Sequence, residues 1–293
     1  MNNTAAVVVT YNRKDMLREC ITRLCNQVEC KCDVLVIDNA STDGTHEYIQ
    51  DLLSDTVKYI NTGKNLGGAG GFSFGLKKAG ELGYEYAWLM DDDTYVETEA
   101  LKELFRADKE LDGKYGFLSS IAYWKDGSLC NMNRQRTALT GKLECFEHLT
   151  EPVIMATFVS FFVKMDVVRE VGLPISEFFI WADDFEYSRR ISKKYPSYAV
   201  PGSKVVHWME SNGKVGIEQD SKDRLWRYQY LYRNEVYVYR REGIKGIAFL
   251  FARYVLHSMR VLFKAKDAKL EKFKVIQKSF WSGWKFHPEI ERI

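Results

Sequence analysis

Short β-branched runs alternate with stretches of helical apolar spacing through residues 1–100, and that alternation is the signature of a parallel α/β sheet. Residues 5–10 read as a first strand, 14–27 as a helix and 34–37 as a second strand ending at Asp38, which makes a β-α-β unit. A helix over 45–53, a strand over 57–61, a helix over 70–82 and a strand over 86–90 continue the pattern. Beyond a helix at 98–111 the order is less regular. Strand-like pieces are expected at 116–124, 154–164 and 198–206, with helices at 166–171 and 185–194. At 293 residues, with nearly half of them apolar, the chain can bury a substantial core.

In sheets of this kind ligands bind beyond the carboxyl ends of the strands, and each strand here is followed by a polar cluster. Thr10-Tyr11-Asn12, Asp38-Asn39-Ala40-Ser41, the stretch 65–71 and Asp91-Asp92-Asp93 therefore converge on one site. Three adjacent aspartates at the end of the apolar run 87–90 repel one another unless a cation holds them, and carboxylate oxygens suit Mg²⁺ or Mn²⁺. A solvated acidic turn is the plain alternative for the triplet.

Asn65 precedes four glycines in five positions, Gly67, Gly68, Gly70 and Gly71, at the start of a helix. Backbone amides in such a turn can approach a diphosphate closely. The run matches neither the dinucleotide fingerprint after the first strand nor a Lys-bearing P-loop, which disfavours a dehydrogenase or an NTPase. Asp183 and Asp184 follow the aromatic run 178–181, where a low-dielectric wall would raise a carboxyl pKa toward that of a general base. The same aspartates also suit the start of the next helix. His207 ends a strand, and a neutral imidazole there could complete a metal shell or simply be structural.

Four motifs in one order, Asn65 to Phe72, Met90 to Asp93, Asp183 to Tyr187 and His207, resemble glycosyltransferase family 2 and, within it, bacterial galactofuranosyltransferases. Tyr232-Arg233-Asn234 is similar to the family's Arg-Asn segment. The resemblance implies the GT-A fold, a Rossmann-like, mostly parallel central sheet with helices on both faces, beside which the residues after 240 are read, from their own spacing and charge, as a basic C-terminal helical extension. It implies a catalytic domain over 1–240, divided into a nucleotide-sugar half (1–110) and an acceptor half (111–240). It also implies an inverting, metal-dependent transfer from a UDP-linked donor. Thr10, Tyr11 and Asp38 would receive the nucleotide, and Asn65, Gly67, Gly68, Gly70 and Gly71 would shape the sugar-diphosphate pocket. Asp91, Asp93 and His207 would hold Mn²⁺ or Mg²⁺, with Asp91 and Asp92 on the donor side. Asp184 would be the base, and Trp181, Asp183 and Phe161 would meet a glycan or lipid-linked glycan acceptor.

Val159-Ser160-Phe161 stands where the family carries Gly-Trp-Trp, so the aromatic acceptor platform is altered. The chain lacks the long flanking domains of polymerising galactan enzymes, which points to a single addition in polysaccharide or O-antigen assembly. A dTDP-rhamnose rhamnosyltransferase and a non-catalytic nucleotide-sugar-binding protein remain alternatives. A nucleotidyltransferase would need a basic triphosphate loop near the first strand, and none is evident.

Residues 244–293 carry eleven Lys and Arg against four Asp and Glu, although the whole chain has a formal charge of only +2. Over 241–293 an amphipathic basic helical region is expected, with Arg253, His257, Arg260 and Lys264 on one face. These charges interrupt the apolar run too early for a membrane span, so 244–285 would lie on an anionic membrane or pack on protein. No nucleic-acid module accompanies it. The amino terminus lacks the pattern of a secretory signal, so the expectation is a cytoplasmic protein on the inner face of the membrane with its six cysteines as thiols. Self-association stays open.

Overall fold

The computed structural model describes residues 2–213 and 216–293. Strands β1 (Thr4–Thr10), β2 (Asp33–Asp38), β3 (Val57–Asn61) and β4 (Tyr86–Asp91) pair in parallel in the order β3-β2-β1-β4. Alternation along these strands divides the core into two layers. Ala5, Val7, Val9, Leu35, Ile37, Ala87 and Leu89 face one layer, while Ala6, Val8, Val34, Val36, Trp88 and Met90 face the other.

Helix α1 (Lys14–Cys25) covers the second layer with Leu17, Cys20, Ile21 and Leu24, the spacing of a single helical stripe. The helix expected over 45–53 is shorter, α2 (Thr45–Tyr48) followed by a 3₁₀ turn. Helix α3 (Gly67–Glu81) covers the first layer and begins three residues earlier than its periodicity suggests, inside the glycine run.

The second half adds strands of both directions to the sheet. It comprises β5 (Thr94–Val96), α4 (Ala100–Glu110), β6 (Phe117–Trp124), β7 (Glu151–Pro152), β8 (Phe161–Lys164), α5 (Met165–Val171), α6 (Asp183–Ser192) and β9 (Tyr198–His207). β8 lies antiparallel between β4 and β6; β9 runs parallel to β6 and antiparallel to β5 and β7. The nine-stranded sheet is therefore parallel from β3 to β4 and mixed beyond β4. This geometry brings the end of β9 back to the end of β4, with His207 in register with Thr94.

Helices α7 (Leu225–Tyr239), α8 (Gly243–Lys264) and α9 (Lys269–Trp284) complete the chain. The last residues fold back onto the sheet-bearing part of the chain: Leu173 N–H donates to Glu291 O at 2.8 Å, and Lys77 pairs with Glu291 at 2.5 Å. Lys272 and Phe280 of α9 are buried. Residues 241–293 are thus packed into the fold, and deleting the segment would remove core along with tail.

Most of the glycines at the start of α3 serve packing. A Cβ on Gly71 would lie 2.6 Å from Val9 Cγ1, and one on Gly75 would lie 2.4 Å from Val7 Cγ1 and 3.0 Å from Ile37 Cγ1. Bare backbone lets the helix sit closer to β1 and β2 than side chains would allow. Gly75→Ala is expected to destabilise the protein by about 1–2 kcal/mol, because overpacking outweighs the gain in helix propensity. A lower urea midpoint at unchanged slope is the measurement; an unchanged midpoint would show that α3 can lift freely.

Candidate active site

β4 delivers Asp91 at its last position, and the turn into β5 carries Asp92 and Asp93. Ligand atoms of Asp91, Asp93 and His207 all lie within 4.8 Å of one another. His207 Nε2 is 3.0 Å from Asp93 Oδ1, and its Nδ1 is 2.8 Å from Asn133 Oδ1. Asn133 is itself buried, accepting from Cys130 Sγ at 2.8 Å and donating to Thr157 Oγ1 at 3.0 Å. The imidazole is consequently fixed from behind with Nε2 aimed at the triplet, the arrangement that orients a histidine ligand.

Arg13, three residues past β1, reaches the same carboxylates. Its Nη1 lies 2.7 Å from Asp93 Oδ2 and 3.3 Å from Asp92 Oδ1. Thr10 Oγ1 donates to the other oxygen of Asp92 at 2.7 Å. Burial, and then the charge of Asp93, push Asp91 up to about 6 and Asp92 up to about 7. Burial pushes Asp93 up as well, but the hydrogen bond and charge of His207, with Arg13 beside them, outweigh it and hold Asp93 below its ordinary value. For His207, burial favours the neutral ring; the bond to Asp93, the contact with Cys130 and the charges of Asp93 and Asp91 overcome this and raise it to about 10. Two cations, Arg13 and the imidazolium, thus balance the acidic cluster.

Two carboxylates and an imidazole are a donor set suited to Mn²⁺ or Mg²⁺. A protonated ring cannot ligate, so metal uptake through His207 must expel its proton. Apparent Mn²⁺ affinity is therefore expected to rise about tenfold per pH unit through neutrality. Calorimetric titration in buffers of different ionisation heat counts the released proton; a pH-independent affinity would place His207 outside the ligand set.

Asp183 and Asp184 occupy the first turn of α6, which Ala182 caps in a left-handed conformation (φ 66°). The approach is unusual, since Phe179 (φ 61°) and Trp181 (φ 66°) also have positive φ, a conformation costly for residues with a Cβ. Asn234 of α7, fully buried, holds this backbone by donating to Phe178 O at 3.0 Å, Ile180 O at 3.3 Å and Trp181 O at 2.9 Å. From the other side, Ala69 N–H donates to Phe179 O at 3.2 Å, and a Cβ on Gly67 would come within 2.2 Å of that oxygen. The glycine-led helix and the aspartate segment are therefore locked to each other. Burial, then the neighbouring Asp184, raise Asp183 well above the carboxylate range. Burial raises Asp184 to about 7; the Phe185 amide opposes it and the charge of Asp91 adds to it. The charge of Asp91 also raises both aspartates.

At the ends of β1 and β2, Tyr11 is 44 % exposed, while Asp38 is buried and already engaged. Its Oδ1 accepts from Ser41 N–H at 2.9 Å and Ser41 Oγ at 2.6 Å, and its Oδ2 accepts from Tyr59 Oη. An open cleft of about 490 Å³ lies beside this group, lined in part by Ser41, Thr42, Tyr59 and Asn61. Asn65 Oδ1 accepts from Gly67 N–H at 2.8 Å, closing the turn into α3. Gly70 and Gly71 are buried against Leu66, Val9 and Asn39, so their role is packing, and only Gly68 of the four has open space where a Cβ would be.

Phe161 corrects the sequence expectation. It is fully buried in β8, stacked 4.6 Å from Phe117 and edge-on to Phe158, and an acceptor cannot reach it. Trp181 is half-buried against Tyr228, with ring centroids 5.1 Å apart, and stays at the site. Sequence reasoning missed Arg13 and Asn133. Arg13 had a signal, its place just after a strand-end cluster, whereas nothing local marks Asn133.

The model of glycosyl transferase family 2 matches residues 5–172, more than half the chain. The chain belongs to glycosyl transferase family 2. This family member is 28% identical over 203 residues to galactofuranosyltransferase GlfT1 of Mycobacterium tuberculosis, covering 64% of this chain and 63% of that protein. The chain thus spans less than two thirds of that relative. It is 26% identical over 253 residues to the dTDP-rhamnosyl transferase RfbF of Shigella flexneri, covering 83% and 82%. Its fold is that of the GT-A glycosyltransferases. It superposes on the mannosyltransferase PcManGT of Pyrobaculum calidifontis, solved with GDP-Man and Mn²⁺, at TM-score 0.60 and 17% identity, over 97% of this chain and 76% of that one. GalNAc-T7, solved with UDP, GalNAc and Mn²⁺, gives 0.66 at 16% identity, over 96% and 56%.

Proposed function

We propose that this family 2 glycosyltransferase is an inverting, divalent-metal-dependent hexosyltransferase. It moves galactofuranose from UDP-galactofuranose to a glycan or lipid-linked glycan acceptor of a bacterial surface polysaccharide. The observation that carries this reading is the meeting of Asp91, Asp93 and His207 within 4.8 Å, beside a second acidic pair of raised pKa on α6. When bound, the divalent ion neutralises charge developing on the departing diphosphate.

Asp184 takes the proton from an acceptor hydroxyl. That oxygen forms its bond to the anomeric carbon from the face opposite the nucleotide, the bond to the diphosphate oxygen breaks, and the centre inverts in one displacement. Asp183 and Trp181 flank the acceptor, and Asn234 keeps the segment from relaxing. Thr10, Tyr11, Asp38 and the amino end of α3 at Gly68 form the nucleotide-sugar side. A lipid-linked acceptor sets this work at the inner face of the cell membrane.

A second reading, transfer of rhamnose from dTDP-rhamnose, is favoured by the match to the rhamnosyl transferase, which covers more of this chain than the match to GlfT1. Thermal stabilisation and nucleotide release, measured in Mn²⁺ with UDP-galactofuranose, UDP-galactopyranose and dTDP-rhamnose, decide between them. Response to dTDP-rhamnose alone selects the second reading, and silence toward every donor removes the catalytic one.

A further inference from the structure

Helix α8 is built with its polar side inward. Arg253 pairs with Glu235 of α7 at 2.5 Å, His257 Nδ1 lies 3.0 Å from Tyr232 Oη, and buried Ser258 meets Gln277 of α9 at 3.2 Å. Two of the four residues expected to form an outward basic face therefore point into the protein, because α7 supplies partners for them. The opposite side is apolar: Ile244, Val255, Leu256, Met259, Leu262 and Phe263 are 45 to 87 % exposed. Their spacing puts them on one stripe of the helix. Leu270, at the start of α9, is 72 % exposed beyond its end.

A soluble surface rarely leaves so continuous an apolar stripe uncovered. Its border carries exposed Lys245, Arg260, Lys264, Lys266 and Lys269. The nearest acids are committed elsewhere: Asp267 pairs with Lys272, Glu271 with Lys222, and Glu242 with Arg189 and Lys193. A two-fold contact between copies would press this cationic border against itself. An anionic bilayer accepts both parts, apolar side chains below the headgroups and lysines among them.

By length and composition α8, whose 22 residues include a stretch of 18 with a mean hydropathy of 1.3, would also suffice to cross a membrane, contrary to the expectation from its charges. The bonds to Glu235, Tyr232 and Gln277 run along its inner side and would be lost in a crossing, so it lies flat. We propose that the exposed face of α8, rimmed by Lys245, Arg260, Lys264, Lys266 and Lys269, docks this protein in the plane of an anionic lipid bilayer. The surface is joined to the catalytic side by a row of rings. His257 meets Tyr232, Tyr232 stacks on Tyr228 at 6.3 Å, and Tyr228 packs on Trp181 at 5.1 Å, two residues before Asp183.

The test uses the full chain and sedimentation with phosphatidylcholine vesicles, either neutral or containing about one third phosphatidylglycerol. The wild-type protein is expected to pellet with the anionic vesicles. The double variant Leu256→Glu, Phe263→Glu should bind them about tenfold more weakly or worse, as expected for charging two side chains that would otherwise be buried in lipid. Both side chains are exposed, so the variant should keep its melting temperature. Binding does not depend on the donor chemistry, so it stands or falls separately from turnover. Undiminished pelleting of the variant, or equal binding of wild type to neutral vesicles, overturns the proposal. So does a wild-type dimer that the variant splits without any vesicle binding, or labelling of α8 termini from both sides of the bilayer.

Discussion

In an Asp184→Asn variant, sugar transfer should fall about a thousandfold while donor and Mn²⁺ still raise the melting temperature as in wild type. General-base catalysis contributes about 10²–10⁴ in rate, and the amide keeps the shape of the carboxylate while losing its affinity for a proton. The variant isolates the proton transfer because the Asp184 side chain accepts only its own neighbour's amide, Phe185 N–H at 2.7 Å, among the described residues. Wild-type turnover in Asp184→Asn, with loss in Asp183→Asn, would move the base by one residue.

The pH profile gives a second view of the same group. The base works ionised, and burial has pushed its pKa up to about 7, so kcat/KM should rise through neutrality and level off above it. The raised value also means that the protonated carboxyl favours the folded chain in acid, and that this contribution is lost as the pH rises through 7. A flat profile from mildly acid to alkaline pH would argue against this carboxyl as the base.

Replacing Asp93 with Asn should remove Mn²⁺-dependent donor binding altogether and lower transfer about a thousandfold or more. Stabilisation of charge by a bound ion is worth several kcal/mol, and each 1.36 kcal/mol is tenfold in rate. Asp93 is the one member of the cluster that both cations address, His207 at 3.0 Å and Arg13 at 2.7 Å. Its loss therefore removes a ligand, takes the carboxylate partner from His207 and leaves Arg13 with Asp92 alone at 3.3 Å. Chelator applied to wild type should reproduce the variant; metal-independent turnover in either would refute the metal site.

The residues that were legible in the sequence are those whose type is improbable at its place. Three aspartates ending an apolar strand, two more after an aromatic run and a histidine closing a strand each announce a cost that something must repay. The parallel half was legible for a related reason, since period and length separate its strands from its helices locally. What was hidden depends on partners distant in sequence. Nothing near residue 161 says that β8 will insert between β4 and β6, so Phe161 looked like an acceptor platform and is core. Composition alone also does not tell that, within the glycine run, Gly67 approaches Phe179, Gly70 Leu66 and Gly71 Val9, while Gly68 is left open. The facing of α8 was likewise set by Glu235 and Tyr232 on another helix.

The third ligand of the candidate metal site comes from the end of β9, seated opposite Thr94, and the family-matched segment 5–172 contains neither it nor the acidic pair of α6. Synthesis from the amino terminus therefore makes Asp91 and Asp93 well before His207, so the three-residue cluster can close only once β9 has emerged and paired.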